Sequence, residues 1–144
     1  METVVGVRHY MLDKKILIAG GGTGGHLFPA LAIGEEIQRR EPDAKIHYVG
    51  SNFGLEARVF PVKDVWHTLL PIRGFQRGIS LKSVGRNLLL PGRIIRSILK
   101  IRSLFKEFLP DVVVGTGGYA AALPLYMALK KGKPLPIVLQ EQNS

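Results

Sequence analysis

At 144 residues, 46% hydrophobic and 22% charged, the chain has the make-up of one globular domain, large enough to bury roughly 70% of its extended surface without staples. It contains no cysteine, which excludes a disulfide framework, a thiolate nucleophile and a cysteine-held zinc or iron–sulfur site, and points to a reducing compartment. The net charge of +9 is concentrated, since nine basic residues face one acid between Arg73 and Glu107 while the remainder is nearly balanced. That quarter of the chain is expected to meet something anionic.

Residues before Ile16 carry Arg8, Asp13, Lys14 and Lys15, leaving no apolar core for a signal peptide. Met11 offers an alternative start, and residues 1–14 are expected to form an N-terminal extension. Lys15 to Ala19 is a short apolar run ending in glycines, followed by Ala30, Ile33 and Ile37 at helical spacing; this predicts strand, loop and helix. The unit repeats, with strands over Lys45 to Val49 and Val65 to Leu70 around a short helix from Gly54 to Phe60. A polar turn over Arg73 to Gly78 precedes a helical region carrying Leu81, Val84 and Leu88, with a break expected at Pro91-Gly92. Helical spacing resumes through Ile94, Ile98, Ile101, Phe105 and Phe108 and stops at Pro110. A fourth strand over Asp111 to Gly115, a helix over Tyr119 to Lys131 and a fifth strand over Leu135 to Leu139 complete the chain. The charge-free stretches Ile16 to Gly34 and Val112 to Leu129 are too interrupted by glycine and proline to be membrane spans.

Near-continuous apolar strands alternating with helices imply an α/β fold, a doubly wound Rossmann-like parallel sheet covered on both faces. The sequence stops just after the fifth strand, so a fragment lacking a second domain is expected. Gly20-Gly21-Gly22-Thr23-Gly24-Gly25-His26 lies between a strand and a helix, where backbone N–H groups can approach an anion. It fits the dinucleotide pattern G-x-G-x-x-G, but the second strand ends Tyr48-Val49-Gly50-Ser51 without the acid that would hold a ribose. No Gly-Lys-Ser/Thr follows, which excludes a Walker loop. Gly115-Thr116-Gly117-Gly118-Tyr119 closes the fourth strand in the same way, so two helix N-termini can converge on one crevice suited to a diphosphate. The glycines also read simply as tight turns. His26 falls in a first helical turn and reads either as a capping side chain or as a proton acceptor. His9, His47 and His67 lack ligand spacing, and no protein-held metal is expected.

The run from Gly20 through His26 to Leu27-Phe28-Pro29-Ala30 resembles the signature of the MurG family of peptidoglycan N-acetylglucosaminyltransferases. Gly54-Leu55-Glu56-Ala57-Arg58, Pro110 to Gly115, Gly117-Gly118-Tyr119 and Glu141-Gln142-Asn143 follow in that family's order. Gln140 departs from the pattern, standing where many members have histidine. The resemblance implies the N-terminal, acceptor-binding half of a GT-B glycosyltransferase over residues 15–144, with the C-terminal donor domain missing. It implies transfer of N-acetylglucosamine from UDP-N-acetylglucosamine to the muramyl 4-hydroxyl of lipid I, with inversion, giving lipid II, and no tightly bound cofactor. By analogy Thr23, Gly24, Gly25 and Asn143 would contact the donor, Gly22, Gly117, Gly118 and Tyr119 would face the acceptor diphosphate, and His26 would be the general base.

The same resemblance gives the basic segment a partner, the anionic cytoplasmic face of the inner membrane, as a peripheral protein. Phe75, Leu81, Val84 and Leu88 would enter the interface while Arg73, Arg77, Lys82 and Arg86 meet head groups. The apolar stripe from Ile94 to Phe108 is instead expected to pack on the sheet. Two other readings of the residues remain, a nucleic-acid-binding module using the basic stretch and an NAD-linked enzyme. The first lacks aromatic interleaving or a recognisable motif, and the second lacks the ribose-binding acid.

Overall fold

The computed structural model describes residues 14–73, 85, 88–130, 132 and 134–141. Its elements run β1 (Lys15–Gly20), α1 (Gly24–Arg40), β2 (Lys45–Ser51), α2 (Glu56–Val62), β3 (His67–Leu70), α3 (Leu90–Phe108), β4 (Val112–Gly117), α4 (Tyr119–Lys130) and β5 (Ile137–Leu139). The five strands form one sheet in the order β3-β2-β1-β4-β5, and every neighbouring pair is parallel. This is the doubly wound Rossmann-like arrangement expected from the alternation of strands and helices.

Side chains alternate across the pleat, so β1 feeds two cores. Leu17 and Ala19 join Val49, Leu70, Val113, Ile101, Phe105 and Ala121 beneath α3 and α4. Ile16 and Ile18 join Leu27, Leu31, Ile46, Tyr48 and Phe60 beneath α1 and α2. The central strand is sealed on both faces, which explains why it reads as an unbroken apolar run rather than an alternating one.

The sequence expectations need small corrections. The break expected at Pro91-Gly92 is the beginning of α3, because proline in a first turn forfeits an N–H that has no helical partner anyway. Within α3 the predicted stripe holds, with Ile101 and Phe105 buried and Ile94, Ile98 and Phe108 partly buried, while Ile95 and Leu99, off the stripe, face outward. Leu109 ends that helix in a left-handed conformation (φ 52°) just before Pro110. β4 runs two residues further than expected, to Gly117, carrying the strand into its glycine turn.

Strand order fixes where a ligand can lie. The chain works outward from β1 to β3 and then crosses to β4 on the other side of β1. The carboxyl ends of β1 and β4 therefore flank the point where the winding reverses, the usual site of a binding crevice in open parallel sheets. Both glycine turns follow these two strands.

Candidate functional site

The two turns meet. Gly21 donates its N–H to the carbonyl of Gly117 at 3.3 Å, and the β1–β4 register shifts between Ala19 and Gly20 so that Gly20 pairs with Gly117. Gly117 and Gly118 have φ values of 105° and 83°, a region that side chains other than glycine enter at a cost. Close approach makes the same demand, since a Cβ on Gly117 would stand 2.6 Å from His26 Cδ2 and 2.9 Å from Nε2. The imidazole of His26 thus lies against the second turn although it belongs to the first.

Thr23 begins α1 in an extended conformation (φ −134°, ψ 160°) and makes no side-chain cap to the backbone. Its hydroxyl stands instead 3.1 Å from His26 Nδ1, while its carbonyl accepts the N–H groups of His26 and Leu27. Thr116, almost fully buried in β4, donates its hydroxyl to the His26 carbonyl at 2.7 Å. His26 is therefore held at three points and remains half-buried. From the second turn, the Tyr119 ring packs beside Gly22, close enough that a Cβ there would come within 3.2 Å of it.

A residue that sequence reasoning did not single out closes the floor of the first turn. Glu56, at the start of α2, is completely buried. Its carboxylate accepts the Ser51 N–H at 2.7 Å and the Gly22 N–H at 3.0 Å to either oxygen. An acid does therefore sit against the end of β2, where a dehydrogenase would keep its ribose-binding carboxylate, but it is turned inward and satisfied by backbone amides. The signal available in the sequence was an acid five residues beyond the strand, behind Gly54.

Of the other expected site residues, Gly24 and Gly25 lie in the first turn of α1, and Gly24 packs against the Phe28 ring. Asn143, Phe75, Arg77, Leu81, Lys82, Val84 and Arg86 lie outside the described residues. Arg73 stacks its guanidinium over the Phe53 ring at 4.2 Å, with Arg93 on the same ring at 5.1 Å. Leu88 is 76% exposed, and Leu89, Ile95 and Leu99 are exposed with it. Gln140 continues the β4–β5 ladder by donating its N–H to Gly115, and its side-chain oxygen is buried with no partner among the described residues. No cluster of three His, Asp or Glu side chains able to hold a metal occurs among the described residues, and no helix there is long and apolar enough to cross a membrane.

His47 and Tyr48 show what burial does on β2. His47, beside the Phe108 ring and bonded through Nε2 to Thr68 Oγ1 at 2.8 Å, has its pKa lowered to about 4, first by burial and then by nearby His67. Burial and the charge of Glu35 push the Tyr48 hydroxyl up to about 12. Tyr48 helps line a hollow of about 390 Å³ with Lys45, Lys63 and Trp66, at the opposite edge of the sheet from the glycine turns.

The sequence from Ile16 onward matches a family model described as the glycosyltransferase family 28 N-terminal domain, over residues 16–144. The chain belongs to glycosyltransferase family 28. Among its relatives, the UDP-N-acetylglucosamine–N-acetylmuramyl-(pentapeptide) pyrophosphoryl-undecaprenol N-acetylglucosamine transferase of Pediococcus pentosaceus is 41% identical over 130 residues, 90% of this chain and 34% of the relative. The transferase of the same name from Christiangramia forsetii is 40% identical over 135 residues. The crystal structure of Acinetobacter baumannii MurG superposes with a TM-score of 0.70 at 25% identity, covering 91% of this chain and 36% of that one. This family 28 domain thus spans about a third of the length of the relatives it matches, and its two glycine turns lie together at the carboxyl ends of β1 and β4.

Proposed function

We propose that this chain is the acceptor-binding domain of an inverting N-acetylglucosaminyltransferase. In this reading the enzyme moves N-acetylglucosamine from UDP-N-acetylglucosamine to the muramyl 4-hydroxyl of lipid I, giving lipid II. Its remaining two-thirds would supply the donor domain. The names of the relatives support the substrates, and the observation that carries the chemistry is the His26 imidazole between two interlocked glycine turns.

Displacement at the anomeric carbon requires removal of a proton from the attacking hydroxyl and steadying of phosphate charge. In the tautomer that carries its proton on Nδ1 and donates it to Thr23 Oγ1, His26 Nε2 has the lone pair to take that proton, a role worth ~10²–10⁴ in rate. The Thr23 hydroxyl, having accepted, still has its own proton to donate to the donor substrate. The N–H groups at the start of α4, from Gly118, Tyr119 and Ala120, would face the acceptor diphosphate. Gly22 would contribute shape rather than an N–H, since its own is directed to Glu56. Thr23, Gly24, Gly25 and Asn143 remain the proposed donor contacts.

In this reading the acceptor's lipid tail would bring the enzyme to a membrane surface, the cytoplasmic face of the inner membrane. Arg73, set at the carboxyl edge, and the exposed Leu88 are the described members of the proposed membrane-facing group. Joining this chain to the remaining two-thirds of the Pediococcus pentosaceus transferase provides the test. The hybrid should convert lipid I and UDP-N-acetylglucosamine to lipid II without added metal, and a folded hybrid that binds both substrates yet yields no lipid II would contradict the reading.

A further inference from the structure

We propose that the Glu56 carboxylate occupies the anion seat of the first glycine turn from inside the protein, fixing that turn beneath Thr23 and His26 and directing a ligand diphosphate to the second turn. The inference rests on the anion-binding reading of the crevice given above.

Glu56 is fully buried, and among the described residues no basic side chain forms an ion pair with it. Its charge is met by backbone amides, from Gly22 and Ser51. Those are the donors that a phosphate uses at a strand-to-helix turn. Room for the Glu56 side chain is made by Gly21 and Gly54 beside the carboxylate and by Gly50 beside its methylenes, each of which would drive a Cβ into it. Three glycines around one acid make a built seat rather than a chance contact. Gly22 itself has φ 96°, so its N–H is aimed by the backbone and held by the carboxylate.

Two consequences follow from ordinary electrostatics. The Gly22 N–H is spent, and a second anion brought to the first turn would meet a like charge behind a single layer of backbone. The second turn carries no such internal acid: among the described residues no carboxylate accepts from Gly118, Tyr119 or Ala120. The asymmetry leaves the first turn to place Thr23 and His26 and the second to hold charge.

Nitrogen-15 spectra of the chain titrated with inorganic pyrophosphate read this directly. In the wild-type chain the amide signals of Gly118 and Tyr119 should move while that of Gly22 stays still. In Glu56→Ala the Gly22 amide should respond as well, and pyrophosphate affinity should rise on the order of tenfold as the like charge is removed. Glu56→Gln keeps the shape without the charge and should raise the affinity similarly, which preserves the test if the alanine variant fails to fold. A wild-type Gly22 signal that moves as far as that of Gly118 would overturn the proposal, as would unchanged affinity in the folded variants. If Gly118 and Tyr119 stay still in every protein, the diphosphate reading fails, and the Gly22 response in the variants decides the role of Glu56 separately.

Discussion

Thr23 Oγ1 stands 3.1 Å from His26 Nδ1, three residues along the helix that Thr23 begins. A threonine in this place ordinarily caps the helix backbone, and here it orients an imidazole instead. The two roles give different outcomes on substitution. Thr23→Val should change stability by less than the ~0.5–2 kcal/mol typical of a lost cap. It should slow turnover of the hybrid transferase by about 5- to 150-fold, the worth of two neutral hydrogen bonds, one to His26 and one to the donor. Urea unfolding and initial rates on the same protein separate the two.

Gly117 tests the interlock of the turns. A methyl there meets both an unfavourable φ of 105° and the His26 ring. Gly117→Ala should destabilise the chain by about 1–3 kcal/mol and displace the imidazole, so the His26 ring signals should shift in the NMR spectrum. Gly92→Ala is the control, since nothing stands within 4 Å of a Cβ there.

His47 should make stability depend on pH. Its folded pKa of about 4 lies below the ordinary 6.5, so between those values the unfolded chain binds a proton that the folded chain refuses. Its contribution is therefore flat above about 6.5, falls as the pH drops toward 4, and changes no further below that. Across that window the urea midpoint of His47→Gln should fall less steeply with decreasing pH than that of the wild type.

The membrane reading has a test in the described residues. Arg73→Glu combined with Leu88→Gln should weaken binding to vesicles rich in anionic lipid, by ~1 kcal/mol for each basic side chain taken from the surface. Added salt should weaken wild-type binding as well. Sedimentation that responds to neither charge reversal nor salt would contradict it.

Much of this arrangement was legible in the chain because its signals are local. The apolar runs at Lys15, Lys45 and Val112, the helical spacing of Ala30, Ile33 and Ile37, and the glycines after two strands each declare their element within a few residues. Parallel winding then brings both turns to one edge without further information. Glu56 was not legible as a partner of the turn, because its bond to Gly22 joins residues 34 apart and depends on how α2 docks. The displacement of the break at Pro91 has a similar cause. Proline marks a helix boundary, but the sequence alone does not say on which side the helix lies.

The most direct test of the account is the turnover of the hybrid transferase carrying His26→Ala, measured at saturating lipid I and UDP-N-acetylglucosamine. Loss of a general base should lower kcat by ~10²–10⁴ while the folded domain and acceptor binding persist. A variant that turns over at the wild-type rate would contradict the assignment of His26 as the base.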